Sequence, residues 1–366
     1  MWEGLTAGLA ALQSARAGRR RRPPIRRRPG GRVKPISLAL QGGGSHGAFT
    51  WGVIDHLLED GRLAIAGVSG TSAGAVNAVL LADGLARGGP EEARKRLADF
   101  WRSASLGGGL PDPQRAVLDR MRSFMPGLAP MQNFVHGMSR YLSPYDLNPL
   151  NINPLKDLIA SQVDFDAVRA FKELDLFISA TNVHTGGARV FTREEITADT
   201  VMASAALPLL FRAVEIDGVP YWDGGYSGNP AITPLLGANG GADVLVVQII
   251  PLERDTTPNS AREIIDRIGE INFNASLTAE LKMIGLIGRL IDHGHFKPGP
   301  DFRPVNLHRI VLDGGPRVTS ASQLNTDYEF FEMLHRAGQC AAQQFLESHF
   351  DDIGVRGTLK AERAAA

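Results

Sequence analysis

The chain has 366 residues, 43% of them hydrophobic, with 39 basic and 39 acidic side chains and a single cysteine, Cys340. That is enough apolar material for one large core or two smaller ones, while one cysteine excludes an internal disulfide and a thiolate metal cluster and fits a reducing, cytoplasmic setting. The balanced charge hides an asymmetry: residues 1–34 hold nine Arg and one Lys against one acid, Glu3, which leaves 29 basic and 38 acidic groups, a formal charge of −9, for the rest.

The opening segment contains RRRRPPIRRRPGGR, too charged and too broken by Pro and Gly to bury a core, so residues 1–34 are expected to form a disordered tail. A solvated tail is the simpler reading. The sharper one is peripheral contact with an anionic membrane surface, where each Lys or Arg contributes about 1 kcal/mol. The tail has no apolar signal-peptide segment, although an Arg-rich, acid-poor composition is shared with organelle transit sequences. No uninterrupted apolar run approaches the roughly 20 residues that cross a bilayer, and no nucleic-acid partner is expected.

Order begins near Pro35. The apolar run ISLALQ (36–41) predicts a buried strand, and after GGGSHG the recurrence of Phe49, Val53 and Leu57 predicts a helix that Gly61 ends. AIAGVSG (64–70) reads as the next strand, and Val76, Val79, Leu80 and Leu85 mark one face of a helix running up to Gly88 and Gly89. Strand, loop, helix, strand, turn, helix implies a parallel sheet covered by helices, with ligand chemistry at the carboxyl ends of the strands. From about residue 90 to 154 the pattern loosens into Pro, Gly and Met with short helical stretches such as 115–124, a helical insert that could cap a site. Further strands are expected at 174–183, 243–250 and 306–312, a hairpin at 213–225, and helices over much of 260–291 and 325–350.

Three Gly-rich loops carry the chemistry. QGGGSHG (41–47) matches Gly-x-Gly-x-x-Gly, but a dinucleotide site would want an acid at the end of the second strand, where this chain has Ser69, Gly70 and Thr71. The alternative is that Gly42, Gly43 and Gly44 expose backbone N–H groups to an oxyanion. GTSAG (70–74) has the Gly-x-Ser-x-Gly form between a strand and a helix, with Gly70 and Gly74 leaving room for a tight turn, and makes Ser72 the candidate nucleophile. YWDGGYSGNP (221–230) supplies Asp223, Gly224 and Gly225, which from local pattern alone read as a simple turn.

The ordered set GGGSHG, GTSAG and DGG resembles the patatin-like phospholipases, lipid acyl hydrolases that use a Ser and Asp dyad, over about residues 36–234. The resemblance implies a three-layer α/β/α fold with a mainly parallel central sheet, a helical cap or insert and a helical C-terminal region. It implies Ser72 as nucleophile, Asp223 as proton acceptor and Gly42, Gly43, Gly44, Ser45, His46 and Gly47 as the oxyanion loop, acting on a lipid ester with no metal or organic cofactor. His46 stands where many members carry Lys or Arg, which weakens a strict preference for charged phospholipids. ASAALPLLFRAVEIDG (203–218) also resembles the family, and Ser204 and Pro208 would shape the pocket or simply pack. The implied organisation is a catalytic domain over 35–237, its continuation over 238–355 and a polar tail over 356–366.

Two other readings stay open on the residues. One is an α/β-hydrolase triad in which His293, His295 or His308 follows the acid in chain order. The other is a non-catalytic dinucleotide-binding module built on GGGSHG. Asp292 to His295, DHGH, lacks the spaced ligand set of a metal site. His184 reads as a loop or core residue near the sheet edge.

Overall fold

The first strand, β1 (Lys34–Leu40), buries Ile36, Leu38 and Leu40 toward one side of the sheet and Ala39 toward the other. In the computed structural model the described residues are 33–105, 143–236, 243–295, 304–313 and 318–359. The Arg-rich tail and most of the expected cap, including 115–124, lie outside them.

After β1 come helix α1 (Gly47–Asp60), β2 (Leu63–Thr71) and α2 (Ala73–Gly88). Gly61 ends α1 in the left-handed region at φ 69°, the expected cap. The segment from residue 90, where the sequence pattern loosens, starts instead with a regular helix, α3 (Pro90–Ala104), which buries Leu97, Phe100 and Trp101 in the main core. Four short helices, α4 (Pro144–Leu147), α5 (Pro154–Gln162), α6 (Phe165–Ala170) and α7 (Ala198–Ser204), flank β3 (Asp175–Asn182) and β4 (Ala188–Thr192) along the chain. The expected hairpin is β5 (Val214–Ile216) and β6 (Val219–Asp223), turning at Asp217 and Gly218, both at positive φ. The chain continues through β7 (Asp243–Gln248), the 32-residue helix α8 (Ala261–Asp292), β8 (Asn306–Val311) and α9 (Tyr328–His349).

Strands β8, β7, β1, β2 and β3 lie side by side in that order, all parallel. Alternation with period two sorts the side chains between layers. Leu245 and Val247 of β7 join a cluster with α1, α2, α3 and α9, whereas Val244 and Val246 join Leu277, Leu281 and Ile284 of α8 on the opposite face. Each such fully buried aliphatic contributes about 1.5–3 kcal/mol, and covering both faces yields the three-layer α/β/α arrangement.

The pairing of β3 decides where the two key turns meet. β4 runs antiparallel along Phe177–Thr181, so it occupies one edge of β3. Both β2, along Asp175–Ser179, and β6, along Ala180–Asn182, overlap β4 in register and must share the other edge. β2 is parallel to β3 and β6 antiparallel, so their carboxyl ends face each other, Thr71 opposite Ser179 and Asp223 opposite the adjacent Ala180.

Candidate active site

Ser72 follows β2 directly and caps α2 with φ 54° and ψ −121°, a conformation that a residue with a Cβ rarely adopts. Its neighbours permit the turn. A Cβ on Gly70 would lie 2.5 Å from the Gly74 carbonyl oxygen, and one on Gly74 would lie 2.2 Å from that of Leu40. The Ser72 N–H donates to Ser204 Oγ at 2.8 Å, and Ser204 Oγ in turn donates to the Ser179 carbonyl at 2.6 Å. Ser204, fully buried at the end of α7, therefore clamps the elbow to β3. The motif around residue 203 marked it only as a pocket or packing residue, because the clamp joins segments far apart in the chain.

Asp223 ends β6 and is completely buried. Its N–H donates to the Ala206 carbonyl at 2.9 Å and its own carbonyl accepts from Thr181 Oγ1 at 2.8 Å, so the backbone is held on both sides. Oδ1 accepts the Gly225 N–H at 2.7 Å, and Oδ2 has no hydrogen-bond partner. Burial pushes the carboxyl up to about 7, opposed by the Gly225 amide and by the Ser72 hydroxyl, the one side chain acting to hold it down. The strand pairing thus sets the Ser72 elbow beside this carboxyl, whose Oδ2 is unpartnered. The structure brings the elbow and the Asp-Gly-Gly turn together, which local pattern alone did not require.

The Gly-rich loop lies against the elbow, since a Cβ on Gly42 would stand 2.7 Å from that of Ser72. Gln41 pins the loop to the end of β7 by accepting from the N–H groups of Ile249 and Ile250 at 2.9 and 2.8 Å. Of the six loop residues, Gly42 already gives its N–H to Asn229 Oδ1 at 2.7 Å, and His46 and Gly47 give theirs to carbonyls within the turn. The N–H groups of Gly43, Gly44 and Ser45 have no acceptor among the described residues. Neither Asn229 nor Gln41 was singled out in the sequence; the signal was present only as polar residues abutting glycines in two separate loops.

His46 is buried, with Nε2 2.7 Å from Ser322 Oγ and a pKa pushed down to about 4 by burial. It is neutral at physiological pH and offers the loop no cation. A cleft of about 920 Å³ opens beside it, lined by His46, Gln248, Arg254, Glu270, Arg309 and Gln323, with neither Ser72 nor Asp223 on its wall.

His308, a candidate for a triad, is fully buried and bonded to Asp243 Oδ1 at 2.9 Å and to Thr358 Oγ1 at 3.1 Å. Asp243 begins β7, so this pair occupies the amino edge of the parallel sheet, opposite the carboxyl edge where Ser72 stands. His293 and His295 follow the end of α8. His184 lies at the β3–β4 turn, and among the described residues no histidine acts on the Asp223 carboxyl. At the end of β2, Ser69 and Thr71 donate to the carbonyls of Ala231 and Gly228 at 2.5 and 2.6 Å, where a ribose-binding site would need an acid. Among the described residues no group of three or more His, Cys, Asp or Glu is placed to hold a metal ion.

The family model for patatin-like phospholipase matches residues 38–236, more than half of the chain. The chain belongs to the patatin-like phospholipase family. Membership carries the general class of a lipid-hydrolysing enzyme, and the matched span holds all three Gly-rich loops. Among solved structures, VipD from Legionella pneumophila is similar at 16% identity and a TM-score of 0.40, over 86% of this chain and 67% of that one. ExoU in its complex with SpcU, from the type III secretion system of Pseudomonas aeruginosa, is similar at 17% identity and 0.39, over 87% and 52%. Human group IVD cytosolic phospholipase A2, bound to methyl γ-linolenyl fluorophosphonate, is similar at 12% identity and 0.42, over 91% and 59%. The chain thus spans between about half and two thirds of the length of these proteins. No curated protein matches the chain in sequence.

Proposed function

We propose that this patatin-like protein hydrolyses carboxylic esters of lipids through a Ser72–Asp223 dyad and an acyl-enzyme intermediate. The observation that supports the reading is a fully buried carboxyl, with pKa lifted to about 7, set by the strand pairing beside a serine at positive φ on a strand-to-helix elbow. An aspartate at its ordinary pKa of about 3.9 is a weak base toward a hydroxyl. Burial brings it close to working pH, where a general base is most effective.

Ser72 Oγ attacks the acyl carbonyl carbon while its proton passes to an Asp223 carboxylate oxygen. The carbonyl oxygen becomes an anion, for which the unengaged N–H groups of Gly43, Gly44 and Ser45 are the available donors, each able to contribute about 3–4 kcal/mol in the transition state. Collapse expels the alcohol, which takes the proton from Asp223 and leaves an acyl ester on Ser72. Water then attacks that ester, giving its proton to Asp223. The second collapse releases the fatty acid, and Ser72 Oγ regains its proton.

The test is labelling with a fluorophosphonate probe and turnover of p-nitrophenyl butyrate. Wild type should carry one adduct on Ser72, and Ser72→Ala none. Ser72→Ala and Asp223→Asn should each lower turnover by at least about 1000-fold, while His293→Ala, His295→Ala and His308→Ala keep most of it in samples that remain folded. Loss of activity in a folded histidine variant would replace the dyad with a triad.

A further inference from the structure

Helix α8 has two apolar faces. Leu277, Leu281 and Ile284 pack under the sheet, and on the opposite side Ile264, Ile265, Ile268, Ile271, Met283 and Leu286 are 39–53% exposed. Eighteen residues make five helical turns, so Met283 stands in line with Ile265 and Leu286 in line with Ile268. The stripe therefore runs straight along about 33 Å of helix. Ala275 and Ala279 are exposed in its middle, and Lys282, five turns after Ile264, lies within it. Between Ile264 and Arg289 every acidic residue, Asp266, Glu270 and Glu280, is buried or half-buried on the inner side. Glu270 is paired with Arg254 and Arg267, and Glu280 accepts the N–H groups of Ile232 and Thr233. The outward face is thus mainly apolar, with Lys282 and Asn272 as exposed polar side chains in the stripe and no exposed acid.

The same helix holds the segment that carries Asp223. Phe273 lies where a Cβ on Gly225 would overlap it and packs edge-on to Tyr226 at 5.0 Å, and Ser276 Oγ accepts the Asn229 N–H at 3.0 Å. The helix also lies outside the residues 38–236 that match the family.

We propose that the outward face of α8 docks on an anionic lipid bilayer, presenting the Ser72 site to esters in that surface. The proposal rests on the lipid-hydrolase reading for its purpose, and its chemistry is that of an interfacial helix, an apolar face sunk to the headgroup level with cations beside it. A second copy is the poorer occupant, because a two-fold contact sets this face against itself and finds no acid for Lys282.

The test is flotation of the full-length protein with vesicles of phosphatidylcholine alone or mixed equally with phosphatidylglycerol, alongside hydrolysis of vesicular phospholipid and of soluble p-nitrophenyl butyrate. Ile268→Glu/Leu286→Glu should lose at least tenfold in vesicle binding and in vesicular turnover, with turnover of the soluble ester unchanged. Lys282→Gln should lose about fivefold on mixed vesicles, one cation's share, and nothing on phosphatidylcholine. Binding retained in full by the double variant would assign attachment to the Arg-rich tail and overturn the proposal. A wild-type dimer in sedimentation that the double variant dissociates would overturn it in favour of a second copy. Failure of the hydrolase reading is separate, since flotation is read without any turnover.

Discussion

Asp223 is where burial becomes chemistry. In the proposed dyad only the ionised carboxylate takes the Ser72 proton, so with its pKa near 7 the active fraction grows as pH rises through neutrality. We expect kcat/KM on a soluble ester to climb between pH 6 and 8 with an apparent pKa near 7; a flat profile over this range would contradict a base of that pKa. In that proposal Ser204 is a positioning residue that acts through the Ser72 elbow. Ser204→Ala strips the Ser72 N–H of its acceptor and the Ser179 carbonyl of its donor, at a cost of about 1–3 kcal/mol. The expected readout is a fall in kcat of at least tenfold with KM little changed, together with a lower melting temperature. Both residues of the proposed dyad stood out because their motifs are compact, and Ser72 could be proposed from its position between a strand and a helix. Asp223 could not, since Asp-Gly is equally a plain turn; only the ordered set of three loops marked it. Gln41, Asn229 and the clamping part of Ser204 went unread because their partners lie more than 100 residues away.

The helices repeat this division between local and distant signals. Apolar periodicity placed α1, α2, α8 and α9 closely, since each meets the core along one continuous face. It said nothing of how α1 and α9 meet. A Cβ on Gly338 would lie 2.1 Å from the Phe49 carbonyl oxygen and one on Gly52 would lie 1.9 Å from that of His335, so the two helices touch backbone to backbone. Gly338→Val should destabilise the fold by about 3 kcal/mol through overpacking, measured as a lower denaturant midpoint with an unchanged slope. Strand β4 escaped notice for another reason: of ARVFT only Phe191 is buried, which leaves no alternating pattern to read. The two-sidedness of α8 was equally hidden, because an apolar residue facing solvent and one facing the core are the same letter.

For the whole molecule the buried carboxyl becomes a stability term with a definite sign. Between the ordinary value of 3.8 and about 7, the folded chain keeps a proton on Asp223 that the unfolded chain has released. Stability from this group is therefore greatest at the acid end of that window and declines as pH rises through it, by at most about 4 kcal/mol. Asp223→Asn removes the dependence. Its melting temperature should exceed that of wild type at pH 8 and the gap should narrow steadily toward pH 4; a gap independent of pH would disprove the linkage. Among the described residues no helix is long and apolar enough to cross a membrane.

The meeting of β2 and β6 on one edge of β3 has a consequence for tolerance to change. Thr71 sits against Ser179 and Asp223 against Ala180, so a single peptide unit of β3 serves as the ruler that spaces the two residues of the proposed dyad. Loops that join these elements can lengthen or shorten while β3, and the Ser204 clamp on it, keep that gauge fixed.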